Sequence, residues 1–124
     1  MRWSLAAAAL ALAGCAAPPH ARVASLEPPG VRTEELHRAS DEIRRRDAEL
    51  QPLTLQSAAP DCARITQLRD NICALAARIC QITGQQPVGS NAAVNAQLDC
   101  ADGQTRCKRA DERAQARGCP GKTP

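Results

Sequence analysis

The stretch DCARITQLRDNICALAARICQITG, from Asp61 to Gly84, decides the fold of this chain. Within it Ile65, Leu68, Ile72, Leu75, Ile79 and Ile82 recur at steps of 3, 4, 3, 4 and 3, the period of one helical face. Pro60 and Asp61 open the helix in a favourable order, and it should reach about Thr83, with Gly84 ending it. At about 100° per residue, Cys62, Cys73 and Cys80 fall within about 20° of one another. Their stripe lies roughly 110° from the centre of the aliphatic one. One helix thus presents two adjacent faces and calls for two neighbours, one covering the cysteines and one the aliphatic residues.

The cysteine-side neighbour follows in the chain. Beyond a loop at Gln85–Gly89, Ser90 can cap a helix reaching about Arg117, although Asp102-Gly103 offers a later start. Cys100, Gly103, Cys107, Ala110 and Ala114 share one of its faces, again at steps of 3 and 4. These residues are small, as a face bonded through disulfides requires, since the bridged Cα atoms must come within about 4.4–6.8 Å. Ala76 is the small residue opposite, between Cys73 and Cys80, and Gly118 offers a turn to redirect Cys119.

The gaps between cysteines are 11 and 7 in the first run (Cys62, Cys73, Cys80), then 7 and 12 in the second (Cys100, Cys107, Cys119). Six cysteines allow about fifteen pairings. The nested set Cys62–Cys119, Cys73–Cys107 and Cys80–Cys100 alone keeps two straight antiparallel helices in register. Both arms then advance about 10.5 Å between the two inner links. Zinc binding is disfavoured, because no C-x2–4-C spacing is present and Cys73 and Cys80 lie about 10.5 Å apart along a helix. The chain also lacks the C-x-x-C of thiol exchange and the C-x-x-C-H of haem attachment.

The N-terminus supplies the compartment. Met1-Arg2 is a short positive segment, and Trp3–Ala13 is apolar but well short of the ~20 residues that span a bilayer. It ends in Leu12-Ala13-Gly14-Cys15, which resembles the lipobox of bacterial lipoprotein signal peptides at every position. The resemblance covers residues 1–15 only. It implies cleavage before Cys15, a diacylglyceryl group on the Cys15 thiol, and a membrane anchor. With Ala16 rather than Asp after the cysteine, it implies the periplasmic side of the outer membrane of a Gram-negative cell. Setting Cys15 aside leaves six of the seven cysteines, an even number suited to an exported disulfide framework.

The chain has 124 residues, net charge +3, a single Trp at Trp3, and no Phe or Tyr. Once residues 1–14 are removed no aromatic remains. A thin Ala/Leu/Ile/Val core on so short a chain needs staples. Lack of aromatics also argues against single-stranded nucleic acid as a partner, since bases normally stack on such side chains.

Residues 15–32 contain Pro18, Pro19, Pro28, Pro29 and Gly30 and read as an extended tether. Thr33 can cap a helix that runs to about Gln51, where Pro52 should stop it. Leu36, Ile43 and Leu50 recur every seven residues along this amphipathic helix. The stripe fits docking onto the hairpin; it also fits a coiled-coil arm that offers Leu36, Ile43 and Leu50 to an envelope protein partner. His37 lies one turn from Glu34 and Asp41, but one histidine with two carboxylates is a poor soft-metal set, and we assign it no role.

The expected fold class is therefore all-α: a disulfide-stapled antiparallel helical hairpin over residues 60–119 with an additional N-terminal amphipathic helix, and a short tail at 120–124. No nucleophile, base and orienter can be assembled, and no phosphate loop is present. No catalytic residue, metal or cofactor is expected. Function is expected to be non-enzymatic, structural or protein-binding at the cell envelope. The alternative is a small periplasmic redox or metal-handling protein that uses a labile disulfide.

Overall fold

A computed structural model describes residues 29–119 and 121, with side chains described from Arg32. The expected signal peptide, Cys15 and most of the expected tether lie outside the described residues. Among those described, three helices form: α1 (Pro29–Leu55), α2 (Cys62–Thr83) and α3 (Asn91–Ala116). The fold is all-α, with α2 and α3 as the stapled antiparallel hairpin and α1 packed against both.

The helix α2 starts where its sequence says it should. The Asp61 side chain accepts a hydrogen bond from the Arg64 backbone N–H at 3.0 Å, satisfying one of the free donors of the first turn. Ile65, Leu68, Ile72, Ile79 and Ile82 are at most 1% exposed, whereas Leu75 at the edge of the stripe is only partly buried. Fully burying an aliphatic side chain of this size is worth roughly 1.5–3 kcal/mol, so this stripe is the main apolar contribution of α2. The helix ends without a left-handed glycine: Gly84 has φ −64° and ψ −12°, and the chain leaves through bonds from Gln85 to Ile82 and Gln86 to Thr83.

Ser90 caps α3, its hydroxyl oxygen accepting from Ala93 N–H at 3.0 Å, and the helix runs unbroken through Asp102-Gly103. Its buried residues are all small: Ala93, Ala96, Gly103, Ala110 and Ala114. A Cβ on Gly103 would stand 3.3 Å from both Cα and Cβ of Ala76, so nothing larger than hydrogen fits there without movement. The C-terminal end is a Schellman turn: Cys119 N–H bonds the Ala114 carbonyl at 2.9 Å and Gly118 N–H bonds that of Gln115 at 2.8 Å. Gly118 adopts φ +71°, the left-handed conformation that this turn requires and that costs glycine nothing. The turn points Cys119 back into the core, where it is fully buried.

Three disulfides join the two helices: Cys62–Cys119, Cys73–Cys107 and Cys80–Cys100, with Cα–Cα distances of 5.1, 4.7 and 4.7 Å. They form the nested ladder of an antiparallel pair, with Ala76 and Gly103 filling the space between the inner two rungs.

The first helix departs from expectation at both ends. It begins at Pro29 rather than Thr33, so the last four residues assigned to the tether are helical. Proline has no N–H to satisfy and a fixed φ suited to a helical first turn, so the Pro-Gly pair that read as linker also serves as a helix start. At the other end the helix passes through Pro52 to Leu55. A proline this close to the terminus removes only one intrahelical bond. Leu53 packs against the core beyond it, and the Thr54 hydroxyl reaches the Gln51 carbonyl at 3.0 Å, which together hold the extra turn.

Candidate functional site

The expected coiled-coil seam is not available to a partner. Leu36, Ile43 and Leu50 are 4%, 1% and 0% exposed, inside the same cluster as the α2 stripe. Ile43 reaches the α2–α3 contact itself: a Cβ on Gly103 would lie 3.6 Å from its Cδ1. The seven-residue spacing is therefore the docking stripe of α1 on the hairpin, and the expectation of a partner through these three residues is corrected.

Charges lock that docking. Asp47 of α1 is nearly buried and accepts from Arg106 Nη1 at 2.9 Å and from Arg113 Nη1 at 2.8 Å, both on α3. Arg106 also donates to Asp102 at 2.8 Å, and these partners, the Asp102 hydrogen bond first, hold its guanidinium above its ordinary value. Glu35 pairs with Arg78 at 2.7 Å and Glu49 with Arg64, tying α1 to α2. The acidic excess of residues 33–51 and the basic excess of 104–124 thus meet each other in part. Their signs are visible in the sequence; the pairing across 59 and 66 residues is not.

One concavity lies along the α2–α3 seam, and no residue of α1 lines it. It is an open groove of about 460 Å³. Cys73, Ala76, Ala77 and Cys80 form one wall and Gln104, Cys107, Lys108 and Asp111 the other, with Arg69, Asp70 and Gly121 at one end. Arg69 is only 3% exposed; its guanidinium donates to Asp70 at 2.8 Å and stands 3.7 Å from Asp111. Arg69 escaped the sequence reading, yet its signal was there: it stands four residues before Cys73, on the cysteine face. Of the three cystines, only Cys73–Cys107 has both half-cystines in the groove walls; Cys119 is fully buried.

A second hollow lies between α1 and α3, lined by His37, Ser40, Asp41, Arg44, Asn95, Leu98 and Asp99. His37 is on its exposed rim. Among the described residues no three His, Cys, Asp or Glu side chains are placed to hold a metal ion. No helix among the described residues is long and apolar enough to cross a membrane. The larger exposed hydrophobic residues are Leu55, Val88, Val94 and Leu98.

No protein-family model, curated protein or solved structure matches the chain.

Proposed function

We propose that the protein is a non-enzymatic lipoprotein of the bacterial cell envelope, held to the membrane through lipid on Cys15. Its disulfide-stabilised helical domain faces the periplasm and serves structural or protein-binding roles there. The observation that carries this reading is Leu12-Ala13-Gly14-Cys15 at the end of an apolar segment too short to span a bilayer. Support comes from the remaining six cysteines, all joined in pairs, as suits an oxidising compartment. A Pro-rich stretch between Cys15 and α1 suits a tether that lifts the domain from the bilayer.

Cys15→Ser tests the anchor. The variant should lose incorporation of labelled fatty acid, show altered processing at its N-terminus, and leave the membrane fraction. Wild-type lipid labelling together with wild-type fractionation would overturn the reading. Separating inner from outer membranes by density then tests the second part: the outer membrane is the expected location.

A further inference from the structure

We propose that the Cys73–Cys107 bond is a site of thiol–disulfide exchange, reduced by the Cys-x-x-Cys dithiol of an exported oxidoreductase that enters the groove between α2 and α3. This goes beyond the structural role proposed above and assigns the groove a chemical use.

The argument is one of access. Exchange proceeds by attack of a thiolate on one disulfide sulfur, so a sulfur of the reactive bond must be reachable from outside. Cys119 is 0% exposed, which closes the Cys62–Cys119 bond to attack at that sulfur. Cys80 lines the groove but its partner Cys100 does not, so the groove gives access to that bond at one sulfur, whereas it gives access to Cys73–Cys107 at either. Cys73 and Cys107 both line it, at the middle rung, with the charged Arg69, Asp70, Lys108 and Asp111 to one side and Ala76, Ala77 and Gln104 to the other. A groove of about 460 Å³ open along one side admits a peptide segment that carries a thiol, and the residues of α2 between Cys73 and Cys80 that line it are the small Ala76 and Ala77. Electrostatics is not the basis: Arg69 and Lys108 are matched there by Asp70 and Asp111.

The step balances with the partner dithiol as reductant. Its first thiolate attacks Sγ of Cys107; the S–S electron pair leaves on Cys73 as thiolate, and a mixed disulfide joins Cys107 to the partner. The partner's second thiolate attacks its own sulfur in that mixed bond, and Cys107 leaves as thiolate. Two electrons pass to the cystine, the partner becomes a disulfide, and its two thiol protons end on Cys73 and Cys107. The outer and inner rungs remain, so the hairpin keeps its register while its centre is released. Reoxidation by an oxidising dithiol–disulfide protein runs the same steps backwards.

The full chain, purified in detergent, is exposed to a reduced Cys-x-x-Cys protein and, in parallel, to dithiothreitol; new thiols are alkylated at intervals and mapped by mass. Cys73 and Cys107 should be labelled first by the dithiol protein, about tenfold faster than the other four cysteines. Two groove-filling variants on opposite walls, Ala77→Leu and Gln104→Trp, should slow the dithiol protein about tenfold and dithiothreitol less than about twofold, with unchanged melting of the oxidised chain. First labelling at Cys80 and Cys100, first labelling at Cys62 and Cys119, or simultaneous release of all six would overturn the proposal. So would filled grooves, in whichever variant melts like wild type, that leave the dithiol protein as fast as before.

Discussion

Replacing Gly103 by Ala sets two ordinary effects against each other, and the structure decides which wins. In a helix interior, Ala is better than Gly by roughly 1 kcal/mol, so an open position would gain stability. At Gly103 the added Cβ would lie 3.3 Å from the Cα and Cβ of Ala76, closer than such atoms normally pack. Relief requires α2 and α3 to part by a few tenths of an ångström. The rungs on either side, Cys73–Cys107 and Cys80–Cys100, hold Cα atoms 4.7 Å apart and resist that movement. Overpacking of this kind costs about 1–3 kcal/mol, which exceeds the propensity gain. The oxidised variant should therefore lose about 1 kcal/mol, a drop in Tm of roughly 4–8 °C for a domain of this size. Differential scanning calorimetry of the oxidised chain measures it. In a background carrying Cys73→Ala and Cys107→Ala, one restraint is gone and the loss should fall by at least about half. An unchanged or higher Tm for the oxidised variant would refute the claim that the ladder sets the helix spacing.

The remaining predictions are simpler. Reduction of all three bonds should lower helicity and Tm sharply, since each disulfide is typically worth about 2–4 kcal/mol and the core has no aromatic residue; an unchanged melt by far-UV circular dichroism would show that the aliphatic core suffices alone. Asp47→Ala leaves Arg106 and Arg113 half-buried without their shared carboxylate, and the expected loss is about 1–2 kcal/mol, between the values for exposed and buried pairs. Urea denaturation checks it, and a change below about 0.5 kcal/mol would contradict the lock. Arg38 holds the Glu34 carboxyl below its ordinary value, chiefly by a hydrogen bond and then by charge. A carboxyl lowered in the folded state adds stability above its unfolded pKa of about 4.5 that is lost as pH falls through the lower folded value. Hydrogen-exchange protection at the start of α1, corrected for the intrinsic rate, should therefore fall through that acidic window, and Glu34→Gln should reduce that fall.

The hairpin was legible because its determinants are local or periodic. The step pattern of Ile65 to Ile82, the caps at Asp61 and Ser90, and the turn at Gly118 each act within a few residues, and the structure places the elements there. The ends of α1 were not legible, because Pro29 and Pro52 are helix breakers in an interior but tolerable within a terminal turn. Which of the two held at Pro52 depended on Leu53 finding the core, a tertiary contact. The role of Leu36, Ile43 and Leu50 was open for the same reason: one stripe serves an internal groove or an external helix equally well. The groove over Cys73–Cys107 is the space left between two helices, and no residue pattern along either strand of the ladder encodes its width.

Among the described residues every disulfide lies between Cys62 and Cys119, while α1 lies outside that closed ring. A pull delivered through the N-terminal end of the chain would therefore load α1 before it loaded any cystine. Its resistance is that of the apolar seam and the Glu35–Arg78, Glu49–Arg64 and Asp47 ion pairs, peeled one turn at a time. The ladder beyond would keep its shape under such a load, with α1 acting as a mechanical fuse between the N-terminal end of the chain and the hairpin.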